Sequence, residues 1–414
     1  MQVNIIGGGV VGLCCAFYLK KEGHDVTVID SNDITDGCSF GNMGFISPSH
    51  FIPLASPGII KQGLKWMTSS SSPFYIKPRL NQDLIRWGIN FRRSASRKIS
   101  EHNAVHLNNL LQLSRHLMND LKIELPGSFD MIEKGCWMLY KYEKTGDYEK
   151  RLAEQANAFG LKTIICNAQE VQARETAVEV NVAGGVLYPD DCHLDPAKFM
   201  HSLYSYLQKL GVKFWVNTTI TGFEKTNGRI NTLITDKFEL SCDELIIANG
   251  SRMQTISKLL DIKILMQPGK GYSMIYHELE KNLQYPSILV DDRAAMSPIN
   301  NLLKIGGTME LSGHSDNILP KRVMAIYNSV KKYYPSLNIE PPDTSKAWFG
   351  YRPVTPDGLP YIGRHNKFNN LVYAGGHAML GLSAAAATGK LVAEILDNKE
   401  TTIPVNAFNP GRFD

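Results

Sequence analysis

The feature that most constrains this chain is a thirty-residue unit at its N-terminus. Residues 3–6, VNII, are mostly apolar and predict a short buried strand. Gly7, Gly9 and Gly12 follow in the spacing G-x-G-x-x-G, and a helical stretch then leads to a second strand that ends at Asp30. These glycines permit, in order, a tight turn, close approach of the backbone to a pyrophosphate, and packing of the helix on the strand. The unit therefore predicts a dinucleotide-binding βαβ fold with phosphates at the helix N-terminus.

Asp30 narrows the choice of dinucleotide. An acid at the end of the second strand accepts hydrogen bonds from both ribose hydroxyls and disfavours a 2′-phosphate. We therefore expect NAD or FAD rather than NADP.

Composition excludes several classes of protein. The 414 residues are 43% hydrophobic, which predicts at least two domains with real cores, and the dispersed net charge of +4 gives no reason to expect nucleic-acid binding. The seven cysteines lack metal-ligand spacing, so no metal site is expected. No basic residue precedes the first apolar run, as an export signal requires, and we see no apolar run of the ~18–20 residues that span a bilayer. We expect a cytoplasmic protein.

Six stretches, spread almost from end to end, carry a family resemblance. They are IIGGGVVGL, SFGNMGFISP, ASPGIIKQGLKWM, PGKGYSM, YRPVTPDGLPYIGR and GGHAMLG. With them the chain resembles the D-amino-acid oxidase superfamily of FAD-dependent amine oxidoreductases, and within it the D-amino-acid dehydrogenase branch.

The resemblance implies FAD bound by three groups of residues. Cysteine is absent after Cys242, so the covalent attachment of sarcosine oxidases is not expected. The ADP half would be held by Gly7, Gly9, Val10, Val11, Gly12, Asp30 and Ser31, with Ile220, Ala248 and Gly250 nearby. The pyrophosphate and flavin would be bordered by Ser39, Asn42, Met43 and Gly44. The flavin pyrimidine edge would be faced by His377, Met379, Leu380, Gly381, Leu382 and Ser383.

The resemblance also implies two residues that contact the substrate. Arg352 matches the arginine that holds the substrate carboxylate, and Tyr272 matches a region that lines the substrate pocket. From the residues alone, Arg352 equally predicts an ion pair with a loop acid such as Asp357. Tyr272 equally predicts a core side chain. Lys270 is expected to be exposed at a strand edge, and His50 to be a solvated loop histidine.

The implied activity is oxidative deamination of small D-amino acids, such as D-alanine or D-proline, to imino and keto acids by hydride transfer to the flavin. Three alternatives stay open: an oxidase of the same fold that uses oxygen, as glycine and sarcosine oxidases do, an NAD-dependent dehydrogenase, and a flavin-binding redox sensor without turnover. Glycine oxidases carry a second arginine where this chain has Met379, which argues for a different substrate.

The order of the motifs predicts an α/β chain with two interleaved domains. A discontinuous Rossmann-like FAD-binding domain is expected from residues 1–50, 146–255 and 345–414. A second, α+β substrate domain, built on a mixed or antiparallel sheet, is expected from residues 51–145 and 256–344.

Residues 57–80 mix basic with apolar and aromatic side chains. This composition is typical both of a segment that lies on a membrane surface or docks an electron acceptor such as quinone, and of an ordinary surface helix and loop. The first interpretation would place the protein at the inner face of the cell membrane.

Overall fold

The computed structural model describes residues 1–67, 69, 71–125 and 129–414. The strands in these residues are β1 Gln2–Ile6, β2 Asp25–Ile29, β3 Phe45–Ile46, β4 Phe74–Ile76, β5 Cys136–Tyr140, β6 Ile164–Asn167, β7 Gly184–Tyr188, β8 Cys192–His193, β9 Lys213–Trp215, β10 Ile220–Thr226, β11 Arg229–Thr235, β12 Glu239–Ser241, β13 Glu244–Ile247, β14 Gln267–Tyr276, β15 Ser287–Leu289, β16 Ala294–Ile299, β17 Leu302–Leu311, β18 Trp348–Val354, β19 Tyr361–Arg364 and β20 Leu371–Gly375. The α-helices in the same ranges are α1 Val10–Lys21, α2 Cys38–Gly41, α3 Ile59–Met67, α4 Gln82–Ser94, α5 Arg97–Glu124, α6 Glu143–Ala158, α7 Ala168–Arg174, α8 Pro196–Lys209, α9 Met253–Leu259, α10 Pro320–Tyr333 and α11 Gly381–Leu396.

The N-terminal unit forms the centre of a six-stranded sheet with the order β19-β20-β13-β1-β2-β9. Its strands pair in parallel except for β19 with β20. Val3 and Ile5 of β1 are fully buried, as expected for a parallel sheet covered on both faces. The predicted strand–turn–helix–strand unit is confirmed.

Helix α11 fills the core beside this sheet, packing against α1 and α5. A Cβ on Gly389 would lie 2.5 Å from the carbonyl carbon of Cys14, so glycine there permits the close approach of α11 to α1. By length and composition, Ala378–Leu396 is apolar enough to cross a membrane, so the expectation that no run reaches that length is wrong. Most of the segment is buried inside the fold, which is the position of a core helix.

The second layer is a nine-stranded mixed sheet. Its order is β18-β14-β17-β16-β15-β5-β7-β6, with β4 paired to β17. Most neighbours are antiparallel, while β15 with β5 and β4 with β17 are parallel. Helix α10 packs against β16 and β17. The predicted mixed sheet is confirmed.

The pairing of the strands departs from the predicted domain boundaries. The sequence predicts strands β6 and β7 in the nucleotide-binding domain, as part of residues 146–255. They pair with each other, and β7 pairs with β5, so both belong to the nine-stranded sheet. Strand β18, expected there as part of 345–414, pairs with β14. Helix α5, expected in the substrate domain, packs on α11 instead. Sheet membership depends on partners far away in the chain, which the local pattern of each strand does not reveal.

Candidate active site

One cavity of about 1790 Å³ lies between the two sheets. It begins at the carboxyl ends of β1, β2 and β13, the position at which parallel α/β sheets bind ligands, and continues along β14, β16, β17 and β18. Its volume exceeds the roughly 300–1,000 Å³ of an ordinary ligand pocket.

Most of the sequence-predicted site residues line this cavity. They are Gly7, Gly9, Val10, Val11, Asp30, Ser31, Ser39, Asn42, Met43, Ile220, Ala248, Gly250, Tyr272, Arg352, His377, Met379, Leu380, Gly381, Leu382 and Ser383. Gly12 and Gly44 lie outside the lining. A Cβ on Gly12 would lie 1.9 Å from the Gly7 carbonyl oxygen, and one on Gly44 would lie 2.1 Å from that of Leu194. Both glycines therefore permit close backbone packing, the role that the fingerprint predicts for Gly12, and their assignment to the cofactor site stays a prediction.

The glycine turn leaves an open surface above the N-terminus of α1. Gly7 has a φ of +110°, and a Cβ on it would lie 2.6 Å from the Cα of Asn249. Helix α1 begins after Gly9, which supplies no side-chain cap. The first N–H groups of a helix have no partner within the helix, and they favour an anion.

Asp30 is tied to the same turn. Its Oδ2 accepts a hydrogen bond from the Gly8 N–H at 2.6 Å, and its Oδ1 accepts one from the Asn32 N–H at 2.9 Å. Burial raises the pKa of the carboxyl group, while the two backbone hydrogen bonds oppose that shift. Asp30 thus fixes the turn and presents a carboxylate at the cavity wall.

Helix α2 and the residues that follow it are held from two sides. The Ser39 hydroxyl accepts a hydrogen bond from the Val10 N–H at 2.9 Å, so it caps the first turn of α1. The Asn42 amide donates to the Ser39 carbonyl at 2.8 Å and accepts from the Gly44 N–H at 2.8 Å. From the other sheet, Lys304 Nζ donates to the Asn42 carbonyl at 2.8 Å.

The N-terminus of α11 closes the opposite wall. The Ser383 hydroxyl donates to the Phe45 carbonyl at 3.0 Å and accepts from the Ser47 N–H at 3.1 Å. His377 lies 2.8 Å from the Thr388 hydroxyl, and burial lowers the pKa of its ring to about 3. The ring is therefore neutral, and its Nε2 is already hydrogen-bonded to Thr388. A ligand at this turn would contact the backbone rather than the ring.

Arg352 contributes a guanidinium group to the cavity. Its Nη1 donates to the Thr308 carbonyl oxygen at 2.6 Å. Within the part of the chain that the structure describes, no carboxylate lies within 4 Å of it. Asp357 pairs instead with Arg412, at 2.7 Å and 3.0 Å, so the alternative of an Arg352–Asp357 ion pair is wrong. Burial lowers the pKa of Arg352 from its usual value.

Tyr272 lines the cavity but its hydroxyl is engaged elsewhere. It donates to Glu310 Oε2 at 2.9 Å and accepts from the Leu319 N–H at 3.3 Å. Lys270, expected to be exposed, is fully buried, and its Nζ donates to two carbonyl oxygens, those of Ser315 and Asn317. The strand is interior on both sides because β17 and β18 flank it, which its own sequence does not show.

His50 also differs from the expectation of a solvated loop residue. It is half-buried in the cavity wall, its Nδ1 lies 3.1 Å from the Ser49 hydroxyl, and burial lowers its pKa to about 4.

Sequence reasoning missed several polar residues of the lining, among them Glu149, Tyr188 and Arg293. Glu149 lies within an amphipathic helix pattern in which an acid is ordinary. No motif marks the other two, so only their position in the fold identifies them.

Comparison with known proteins identifies the fold and the family. Residues 2–395 match the family model described as DAO, FAD dependent oxidoreductase. The chain belongs to this family. A D-amino acid dehydrogenase of Helicobacter pylori is 31% identical over 95% of this chain and 94% of the relative. One of Granulibacter bethesdensis is 31% identical over 97% of each. A solved glycine oxidase of Geobacillus kaustophilus matches with a TM-score of 0.79 at 21% identity, over 99% of both chains.

FAD is the cofactor of this oxidoreductase family, and the cavity fits it. The glycine turn places no side chain over the helix N-terminus, and the lining of the cavity extends from Asp30 to the strands of the second sheet. The match to an FAD-dependent family therefore excludes the alternative of an NAD-dependent dehydrogenase.

Proposed function

We propose that this oxidoreductase is a D-amino-acid dehydrogenase that oxidatively deaminates small D-amino acids, such as D-alanine or D-proline, to imino and then keto acids. The observation that carries the proposal is Arg352, a guanidinium at the cavity wall with no carboxylate partner among the described residues. A permanently charged, planar and bidentate donor of this kind is suited to a substrate carboxylate. The names of the relatives support the substrate class.

The cofactor would be held as follows. The N-terminus of α1 would bind the pyrophosphate, Asp30 the ribose hydroxyls, and the turn that begins at His377 the pyrimidine edge of the ring, where a helix N-terminus stabilises negative charge. Bound FAD supplies the two-electron oxidation of the amine carbon.

The residues of the chain then have to orient the substrate and exclude water. Arg352 fixes the carboxylate, and the Thr308 carbonyl fixes the guanidinium. Tyr272 forms part of the wall, but its hydroxyl donates to Glu310 and burial raises its pKa, so it keeps its proton and does not act as a base toward the substrate. A water-poor site disfavours the ammonium form of the substrate, so the amine loses its proton without a dedicated base.

For the electron acceptor we propose a lipid-soluble compound such as quinone. Helices α3 and α4 and strand β4 contribute apolar side chains to the cavity lining: Ile60, Leu64, Phe74, Trp87 and Phe91. An apolar lining of this kind fits an apolar acceptor better than a charged one.

The same two helices suggest contact with an anionic membrane at the inner face of the cell. Leu64, Ile85 and Ile89 are exposed, by 63%, 52% and 49%. Exposed basic residues surround them: Lys61, Lys65, Arg86, Arg92 and Arg93. Apolar residues with a basic rim are typical of a surface that binds anionic lipid. Residues 68 and 70 of the predicted segment 57–80 lie outside the described residues.

An oxidase of the same fold is the second candidate, because glycine oxidase shares the architecture. Steady turnover of D-alanine separates the two. A dehydrogenase turns over with a dye acceptor and releases little hydrogen peroxide, whereas stoichiometric peroxide would favour the oxidase. Flavin that no amino acid reduces would favour a redox sensor.

A further inference from the structure

A second guanidinium group, that of Arg293, lies on the wall of the cavity. Arg293 is exposed and immediately precedes β16. Together with Thr308 it lines both the main cavity and a smaller pocket beside it. Nothing in the proposed deamination of D-alanine uses this group.

The strand register places Arg293 beside the residue that holds Arg352. Ala294 of β16 pairs with Gly307 of β17, and the next residues along the two strands are Arg293 and Thr308. A Cβ on Gly307 would lie 3.0 Å from the Arg293 carbonyl oxygen, in agreement with this register. Opposite residues of antiparallel strands have Cα atoms about 4.5–5.5 Å apart. The Thr308 carbonyl accepts the hydrogen bond from Arg352, so the two arginines flank Thr308.

The hydrogen-bond donors of the Arg293 guanidinium are free. Within the part of the chain that the structure describes, its side chain makes neither a hydrogen bond nor an ion pair. The two acids that precede it are engaged elsewhere: Asp292 pairs with Lys332 at 2.9 Å, and Asp291 accepts from two hydroxyl groups and one backbone N–H. The guanidinium carbon lies 6.0 Å from the centroid of the Trp66 ring. Contact with a ring face leaves the N–H groups in the guanidinium plane available to a ligand.

The groups that share this part of the main cavity with Arg293 are neutral below pH 7. Burial, and then the charge of Arg293, lower the pKa of His50 to about 4. Burial raises the pKa of the Tyr148 hydroxyl, and it raises the pKa of Glu149 to about 7 although Arg293 opposes that shift. The guanidinium is therefore the standing charge of the region, and it attracts an anion.

The two arginines are placed to bind two different carboxylates. The Arg352 side chain passes over Gly271 of β14 to reach β17, and Arg293 starts one strand further on, about 4.8 Å away. Burial and the Cys38 thiol account for the shifted pKa of Arg352, without a contribution from Arg293, so the two guanidinium groups lie apart. An extended glutamate separates its carboxylate carbons by four C–C bonds, about 5 Å. Alanine has no group that could contact the second arginine.

We propose that Arg293 is a specificity residue that binds the side-chain carboxylate of acidic D-amino acids such as D-glutamate, while Arg352 holds the α-carboxylate. This inference rests on the proposed D-amino-acid oxidation and names a preferred substrate class of the same site.

The test compares three substrates in the FAD-loaded enzyme below pH 7, where Glu149 is mainly protonated. D-Glutamate carries the second carboxylate, D-glutamine has the same length without the charge, and D-alanine is short. We expect the wild type to prefer D-glutamate to D-glutamine. In Arg293→Met, kcat/KM for D-glutamate should fall about tenfold or more, while the values for the other two substrates stay within about twofold.

Two further variants make the test specific. Arg293→Lys keeps the positive charge and should recover part of the activity on D-glutamate. Arg174→Met removes an exposed positive charge outside the cavity lining and should leave all three values unchanged.

The outcomes separate the inference from the proposed function. D-Alanine turnover without a preference for D-glutamate over D-glutamine overturns the inference alone, as does an unchanged D-glutamate value in Arg293→Met. An equal loss on all three substrates in Arg293→Met would show a structural role and also contradict the inference. No flavin reduction by any of the three in the wild type overturns the proposed function as well.

Discussion

The Arg352 guanidinium donates to the Thr308 carbonyl oxygen at 2.6 Å, across a glycine on the strand between them. Thr308 has a φ of 67°, an unusual conformation for a β-branched residue. Strain of this kind is found where a binding group must be held in place. The hydrogen bond to Thr308 therefore holds the guanidinium in place before a ligand binds.

Arg352→Lys should therefore weaken substrate binding without loss of FAD. Lysine keeps the charge but not the planar, bidentate donor, and a hydrogen bond to a charged group contributes about 1.5–3 kcal/mol. We expect KM for D-alanine to rise about tenfold or more, measured beside the flavin absorbance of the purified protein. Arg97→Lys, at an exposed site, is the control. Unchanged kinetics in the Arg352 variant would show that the arginine does not bind substrate.

Gly271→Ala tests the same relationship without touching the arginine. A Cβ at residue 271 would lie 2.1 Å from Arg352 Nη1, so the guanidinium has to move. Activity should fall at least as far as in Arg352→Lys while FAD stays bound. Gly222→Ala is the matched control, because its Cβ would meet only ordinary contacts at 3.5 Å. Full activity in Gly271→Ala would mean that the observed position of the guanidinium is not required.

Asp30→Asn should weaken FAD binding. The variant loses the charge that is expected to hold the ribose, as well as one charged hydrogen bond to the glycine turn, a loss of about 1.5–3 kcal/mol. Titration of the apoprotein with FAD measures the change in Kd. Asp25→Asn, exposed at the start of the same strand, should bind like the wild type. Equal affinities for all three proteins would remove Asp30 from the cofactor site.

Much of this site could be predicted from the sequence because its determinants are local. Gly7 and Asp30 are separated by one helix and one strand, and the spacing alone identifies their role. The motif around Arg352 identifies this arginine. That it does not pair with Asp357 depends on Arg412, which lies 55 residues further along the chain and pairs with Asp357 instead. No local pattern reports such competition for a partner.

The predictions that the structure contradicts fail because they, too, depend on contacts between residues far apart in the chain. Strands β6 and β7 join the second sheet through β5, and Lys270 is buried because two strands flank its own. Glu149 became visible only when its helix was placed against the cavity.

Asp191 predicts how stability depends on pH. Burial raises its pKa from 3.8 to about 7, so the folded state binds more protons than the unfolded state between these values. Stability from this group is present below pH 3.8 and is lost as pH rises through about 7. Asp191→Asn, which cannot ionise, should therefore gain stability relative to the wild type over that range. Urea unfolding of both proteins near pH 3.8 and near pH 7 measures the difference in the free energy of unfolding. If that difference is the same at both pH values, the raised pKa of Asp191 is contradicted.

The surface of α3 and α4 predicts lipid binding. Leu64→Asp combined with Ile85→Asp should reduce sedimentation with anionic vesicles, because it removes apolar area and adds negative charge. Ile123→Asp, exposed by 82% at another place, is the control. If neither the wild type nor the variants sediment with vesicles, the membrane proposal fails while the deamination proposal stands.

Anaerobic reduction of the bound flavin tests the central claim most directly. The purified enzyme is mixed, without any acceptor, with D-alanine, D-proline, their L-enantiomers, glycine and sarcosine, and the flavin absorbance is followed. The account predicts rapid bleaching by the D-enantiomers, slowed in Arg352→Lys at low substrate concentration. Bleaching by the L-enantiomers alone, or by none of the six, would contradict it.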